Sequence, residues 1–471
     1  MNPLDLDIIT ASELIDRREL SPLDLVEACL DRVERISDTN AFITVNADEA
    51  RAVARASADL IVAGYRIGPL HGIPIALKDN IGVAGQRTTA GSAILADHRP
   101  DRDATVVRQL RAAGAIIIGK TNMHEFAWGG TSANPHYGAV KNPWDLTRMP
   151  GGSSGGSGVA VATGAGMAAV GTDTGGSIRL PSSLNGITGI RPTIGRVSNY
   201  GVIPLAWTMD TVGPMARTAR DCAVLLQALA GYDTLDPGSA NLTTGDYTAA
   251  VTDPDTAGVR IGLIDDYSLE HLQPSVGAAV ERALRTLTEH GATLSPVQVP
   301  DLEGNISAQL TIEAAEPSTY HQRTLRERPQ DYGDDVRLLL QAGELIPAVH
   351  YLQAQRYREM LRTRMLAALD SVDVIACPTL PFTATPLGET TVEIYPGRPE
   401  DMLSAIMQFT GLPSLTGLPA LSVPCGFDDA GLPIGLQLIG RPFAEESLLR
   451  VAAAFQDLTD FHHRQPPFPA A

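Results

Sequence analysis

Ser153 and Ser177 lie 24 positions apart in a stretch almost free of large side chains, "MPGGSSGGSGVAVATGAGMAAVGTDTGGSIRLP" (149–181). Glycine at this density costs conformational entropy on folding. A chain keeps it as a flexible linker or where its backbone must pass very close to another group. The residues after the first cluster exclude the linker. An apolar stretch leads into a short strand, "AAVGTD" (168–173), which delivers a second glycine-flanked serine in "TGGS" (174–177).

The surrounding pattern is that of a large α/β protein. The 471 residues, 44% of them hydrophobic, can fill a substantial core. "SPLDLVEACLDRVERI" (21–36) has an N-cap serine, a proline at the first helical position and apolar residues at helical spacing. A second helix is predicted over 47–63, stopped by Gly64, and "GIPIALKDNI" (72–81) then gives a buried strand with Lys78 towards its end. "GVRIGLID", a helix bearing Val276, Ala279, Val280, Ala283, Leu284 and Leu287 on one face, and "ATLSPVQV" give a strand-helix-strand unit. With "VDVIACP", "PALSVPCGF" and "IGLQLIG" they point to a large, mostly buried sheet. The polar stretch 231–255 reads as a long surface loop.

Charge and cysteine usage narrow the function classes. A net charge of −18 argues against a surface that tracks nucleic-acid phosphates. No run of 18 apolar residues could span a bilayer, and "MNPLDLDIIT" lacks a signal-peptide charge pattern, so no membrane partner and a cytoplasmic location are expected. Cys29, Cys222, Cys377 and Cys425 lie far apart and read as buried thiols.

The basic residues are 33 Arg and only three Lys: Lys78, Lys120 and Lys141. A solvated charge can be either residue, but only a desolvated lysine can become a neutral amine near pH 7. Lys78, at a strand end behind apolar neighbours, is the leading candidate for that role; Lys120 and Lys141 are expected to tolerate arginine.

Two other motifs point elsewhere; the first is rejected, and the second is weakened but kept as an alternative reading. "GAIIIGKT" (114–121) fits a phosphate-binding loop by spelling, but its Ala-Ile-Ile-Ile is itself strand-like. A G-x-S-x-G nucleophile elbow, the mark of an α/β-hydrolase-type serine esterase, needs a strand running straight into it, whereas "KNPWDLTRMP" carries two prolines. Its triad would also need a downstream histidine from His271, His290, His321, His350, His462 and His463, which sit mostly in polar or helical contexts. Two serine loops and an apolar-flanked lysine instead suggest one serine as nucleophile, a second as proton relay and a neutral lysine as ultimate base. The N–H groups of Thr174, Gly175, Gly176 and Ser177 could form an oxyanion hole.

"GIPIALKDNI", "MPGGSSGGSGVAVATG", "VGTDTGGSIRLPSSLNGITGIRPTIGRVS" and "GLPALSVPCGF…GLPIGLQLIGR" together resemble the amidase signature family over nearly the whole chain. The resemblance implies an α/β fold with a large mixed sheet surrounded by helices on both faces. It implies a single domain over 1–471, with an N-terminal helical segment (1–64), a signature core (65–225) and a remainder carrying substrate-side loops (226–471). It places the triad at Lys78, Ser153 and Ser177, with a cis bond at Gly152–Ser153, Ala127 in the acyl pocket, and Asp173 and Arg179 buttressing the nucleophile loop. Ser154 is the less favoured relay.

The implied activity is hydrolysis of a carboxylic amide to the acid and ammonia or an amine, with esters as a side activity, no cofactor and no metal. A small-molecule amide is the expected partner, and a homodimer is a candidate assembly. The alternative within the family is the glutamine-hydrolysing A subunit of an aminoacyl-tRNA amidotransferase. Its pattern has basic residues in the segment that here reads "YGDDVRLLLQAG", and an acid before the "GLP" turn. Here Leu338, Leu339 and "AIMQFTGLPSLTGLP" are apolar, which favours a free-standing amidase acting on a small uncharged amide.

Overall fold

The structure, a computed structural model, describes residues 2–467. Its strands are β1 (Phe42–Val45), β2 (Pro74–Lys78), β3 (Ile116–Thr121), β4 (Ala168–Asp173), β5 (Thr188–Arg191), β6 (Thr211–Ala216), β7 (Arg260–Ile264), β8 (Thr293–Val297), β9 (Val374–Pro378), β10 (Thr391–Tyr395), β11 (Arg398–Asp401), β12 (Ala420–Phe427) and β13 (Pro433–Ile439). Eleven form one sheet in the order β1-β3-β2-β4-β6-β5-β12-β13-β9-β7-β8, and β10 pairs with β11 alone. The sheet is mixed: β3-β2-β4 and β9-β7-β8 are parallel, and the remaining pairs are antiparallel.

The central strands read as near-continuous apolar runs because both sheet faces are covered. Along β2, Ile75 and Leu77 join one core cluster and Ala76 the other; along β3, Ile117 opposes Ile116 and Ile118; along β4, Ala168 and Val170 oppose Ala169. The first cluster takes in Val106, Val107 and Leu110 from helix Thr105–Ala112 and Leu225, Leu226 and Leu229 from helix Ala219–Leu229. The second takes in Val26, Cys29 and Leu30 from helix Pro22–Arg35, and the small side chains of helix Gly155–Thr163.

Local signals set the element ends. The Leu23 N–H donates to Ser21 Oγ at the start of helix Pro22–Arg35. Helix Ala47–Val62 ends before Gly64, which takes a φ of 89° that a side chain would resist. One element departs from expectation. Phe42–Val45, inside the segment read as helical, is a strand pairing antiparallel with β3. Four residues between two helices are too few for alternation to register, and the pairing partner lies more than 70 residues downstream. All four cysteines are buried and free. "GAIIIGKT" is strand from Ile116 to Thr121, and no described helix is long and apolar enough to cross a membrane.

Candidate active site

β2 and β4 are parallel neighbours, with Leu77 level with Val170. Lys78, the last residue of β2, and Thr172 therefore emerge at the same carboxyl edge of the sheet, the usual crevice for a ligand in α/β proteins. Lys78 is fully buried. Its Nζ lies 2.7 Å from Ser153 Oγ, 2.7 Å from Thr172 Oγ1 and 3.3 Å from the Thr172 carbonyl. Burial pushes the ammonium pKa down to about 7, against the opposing pull of Asp173 and Asp210.

The glycines around Ser153 are there for contact distance. A Cβ at Gly152 would lie 2.7 Å from the Ser132 nitrogen, one at Gly155 2.4 Å from Ser132 Oγ, and one at Gly156 2.3 Å from the Ala41 carbonyl. The Gly152–Ser153 bond is cis. His124 donates its N–H to the Ser153 carbonyl, and Ser132 Oγ donates to the Gly151 carbonyl. Ser154 turns the other way: its hydroxyl donates to the Thr172 carbonyl at 3.2 Å, leaving Ser153 facing the lysine.

Ser177 follows β4 on a loop tied down by Asp173. The Ile178 N–H, Arg179 Nε and Arg179 Nη2 donate to the Asp173 carboxylate at 3.1, 3.0 and 2.9 Å, and Arg191 Nη1 at 3.1 Å. Asp173 and both arginines are fully buried. Burial would raise the carboxyl pKa, but the two guanidiniums outweigh it and hold the group well below the usual carboxylate range. Thr174 Oγ1 donates to Asp210 at 2.5 Å; burial raises the Asp210 pKa to about 6. The two serine loops meet where the Ser154 N–H donates to the Ser177 carbonyl at 3.2 Å. Ser177 is 7% exposed and lines a cavity. Among the described residues, neither its hydroxyl nor the N–H groups of Gly175, Gly176 and Ser177 make a hydrogen bond.

Two cavities share walls at Ala127 and Leu205. The larger, about 670 Å³, is bounded by Thr172, Thr174, Trp207 and Asp210, and by Leu235–Gly238 of the loop expected over 231–255. That loop is clamped across the cleft: Thr105 and Ser198 hydroxyls donate to Asp233, and the Asn199 N–H to Asp236. The narrower cavity holds Ser177 itself, with Gly175, Leu180, Ile406, Met407 and Glu313. Phe126 and Ala127 bring their turn to the cavity wall with φ of 48° and 62°, unusual values for residues with side chains.

Lys78, Ser153, Ser177, Thr174, Gly175, Gly176 and Ala127 are thus gathered at one edge of the sheet, and none of the six candidate histidines lines either cavity. Lys120 is fully buried, 3.0 Å from Asp79 Oδ1 in an ion pair, so replacing it by arginine is a question of packing, whereas Lys141 is half-buried. Sequence reasoning missed Thr172, Asp210 and Glu313. The signal for Glu313 was available: Asn305, Gln309 and Glu313 recur every four residues on helix Asn305–Glu327, and all are buried. A polar stripe on a buried helix face asks for a purpose. This helix brings an acid into the cavity of Ser177 beside Ile406 and Met407 of the segment that reads as apolar in the sequence.

A family model described as Amidase matches residues 24–449. The glutamyl-tRNA(Gln) amidotransferase A subunit of Roseiflexus castenholzii is 42% identical over 99% of this chain and 98% of its own length. Among solved structures, one described as a vestigial protein complex bearing on the origins of an s-triazine catabolic enzyme superposes with a TM-score of 0.92, at 35% identity over 96% of this chain and 98% of its own. A bacterial aryl acylamidase of the amidase signature enzymes superposes with a TM-score of 0.88, at 29% identity over 98% of this chain and 99% of its own.

Proposed function

The chain belongs to the amidase family, an enzyme family that cleaves amide carbon–nitrogen bonds, and from that premise we propose that it is a free-standing amidase for small amides lacking a carboxylate, working through Lys78, Ser153 and Ser177. The observation that carries this reading is a lysine buried without a carboxylate in contact, its amine set 2.7 Å from a serine hydroxyl beside a cavity that holds a second serine.

Neutral Lys78 accepts the Ser153 proton, Ser153 accepts that of Ser177, and Ser177 Oγ attacks the carbonyl carbon. The resulting oxyanion sits against the N–H groups of Thr174, Gly175, Gly176 and Ser177, which glycine leaves unobstructed. The relay returns a proton to the departing nitrogen, ammonia or amine leaves, and water, deprotonated by the same relay, releases the acid from the Ser177 ester. The Ser177-to-Ser153 transfer is the one step not spanned by a hydrogen bond among the described residues; such contacts close when substrate is seated. Thr172 holds the amine from two sides, and Asp173, fixed between Arg179 and Arg191, keeps the loop rigid.

A second reading has its own support. The relative from Roseiflexus castenholzii bears the name of a glutamyl-tRNA(Gln) amidotransferase subunit, and one structural neighbour is described as a protein complex. On this reading the chain releases ammonia from glutamine alongside partner proteins. Against it stands the composition of the cavities: among the described residues no lysine or arginine lines either, so nothing there would pair with glutamine's α-carboxylate. Ammonia release by the purified chain over a panel of amides, glutamine included, decides between them. The first reading expects turnover of neutral amides by the chain alone. Activity confined to glutamine and dependent on added partner proteins would replace it with the second.

A further inference from the structure

The cavity of Ser177 has one titratable side chain besides the serine. Glu313 is 3% exposed and lines it among Ala127, Trp128, Leu180, Leu205, Leu403, Ile406 and Met407. Its Oε1 accepts from Gln309 Nε2 at 2.9 Å; Oε2 makes no hydrogen bond to another described residue. The carboxyl is also tight against the nucleophile loop, since a Cβ at Gly175 would lie 2.6 Å from Gln309 Nε2 and 2.9 Å from Glu313 Oε1. Gln309 is fully buried, donates in addition to Met407 Sδ at 3.3 Å, and fixes the carboxyl's orientation.

Oε2 is thus left open to a cavity whose other side chains are mostly apolar, where a donor on a bound molecule is the partner that would satisfy it. No cation is in contact with the carboxyl: the charged groups that act on it are Asp210, Asp173 and, more weakly, Arg191. Burial, the largest influence, pushes the pKa up to about 8, so without a donor the group stays largely protonated at neutral pH. Nothing in the proposed relay uses it.

We infer that Glu313 is a specificity-determining residue that hydrogen-bonds an N–H donor on the substrate, so that the preferred substrates are amides bearing a second nitrogen group, an ammonium or a neutral carboxamide, close to the scissile carbonyl. This rests on the amidase reading above. Ionised, Oε2 accepts from an ammonium and pairs with its charge; protonated, the carboxyl both donates to and accepts from a carboxamide. Either pairing occupies the unsatisfied oxygen at the place where the apolar walls offer a methyl group nothing but contact. A substrate that puts a carboxylate there meets an acid and no cation.

The test compares matched amides in ammonia release: β-alaninamide against butanamide, which replaces the ammonium by methyl, and malonamide against 3-methylbutanamide, which replaces the second carboxamide by isopropyl. Wild-type enzyme is expected to favour at least one nitrogen-bearing member by tenfold or more in kcat/KM. Glu313→Leu should lower that preference by roughly ten- to a hundredfold. The isosteric Glu313→Gln, which keeps the fold's packing, separates the arms: an ammonium preference is lost, a carboxamide preference is retained. Turnover with no wild-type preference for either nitrogen-bearing amide, or a preference unchanged in both folded variants, overturns the role of Glu313 and leaves the amidase reading standing. Wild-type inactivity towards all four amides and the wider amide panel overturns the amidase reading and the role together.

Discussion

If Lys78 acts as a neutral base, the rate must follow its deprotonation. With the pKa lowered from 10.5 to about 7 by burial, roughly half of the enzyme carries the neutral amine at pH 7, and kcat/KM falls about tenfold for each unit below that, to roughly 1% of its plateau at pH 5. An unshifted amine would instead keep the rate climbing tenfold per unit from pH 7 to beyond 9. Glu313 titrates nearby, at about 8, so the profile is recorded for wild type and Glu313→Gln with a neutral amide; the limb near 7 should survive the substitution. Lys78→Arg and Lys78→Met should each lose a factor of about 10³ or more, because members of a relay act as a unit and neither side chain accepts a proton. Stability gives an independent check. The folded-state pKa is depressed, so between pH 7 and 10.5 the unfolded chain binds more protons than the folded one, and this lysine's contribution to stability improves as pH rises through that window. The Tm of wild type should therefore gain on that of Lys78→Met between pH 7 and 10. An active Lys78→Arg enzyme, or a kcat/KM flat from pH 5 to 9, would refute the reasoning.

Three further outcomes follow from burial and contact. Asp173→Asn removes the charge between two fully buried guanidiniums and should cost about 3–5 kcal/mol in urea unfolding or prevent folding; a loss under 1 kcal/mol would mean that water reaches the arginines. Gly156→Ala puts a Cβ 2.3 Å from the Ala41 carbonyl and 2.4 Å from that of Asn122, both backbone, so folding yield or activity should collapse, whereas Gly258→Ala, with open space and a φ of 74°, should cost only about 1 kcal/mol in thermal unfolding. Lys120→Arg must force a guanidinium into the pocket that fits the Asp79 ion pair and should destabilise by more than about 1 kcal/mol, while Lys141→Arg stays within about 0.5 kcal/mol.

The local elements were legible because their signals are local. Ser21 and Pro22 mark a helix start, Gly64 a helix end, and the apolar runs of β2, β3 and β4 mark a sheet covered on both faces. The candidate site residues could be picked out because glycine density and scarce lysine are chemical statements, and the motifs carrying them resemble a family; the structure sets Lys78 against Ser153 and Ser177 on a cavity wall. Strand order was not legible, since β5 pairs with β12 across more than 200 residues and nothing in either strand names its partner. The burial of Lys120 was not legible for a related reason. Its scarcity was visible, but whether a lone lysine serves a nucleophile or a buried aspartate depends on which strand ends the fold brings together. Glu313 sits on a helix with no motif; its polar stripe with Asn305 and Gln309 was visible in the spacing, but that its carboxyl lines the cavity of Ser177 depends on packing against Gly175.

The central claim is that Ser177 is the residue that attacks and Ser153 the one that relays. A fluorophosphonate reagent, followed by peptide mapping with mass spectrometry, reads this out directly. Ser177 lines the cavity with its hydroxyl free of hydrogen bonds to the described residues, whereas Ser153 is fully buried with its hydroxyl held against Lys78. The account predicts a single adduct on Ser177, formed faster as pH rises through 7 and strongly slowed in Lys78→Met. An adduct on Ser153 or Ser154, or labelling of Ser177 at an undiminished rate in Lys78→Met, would contradict it.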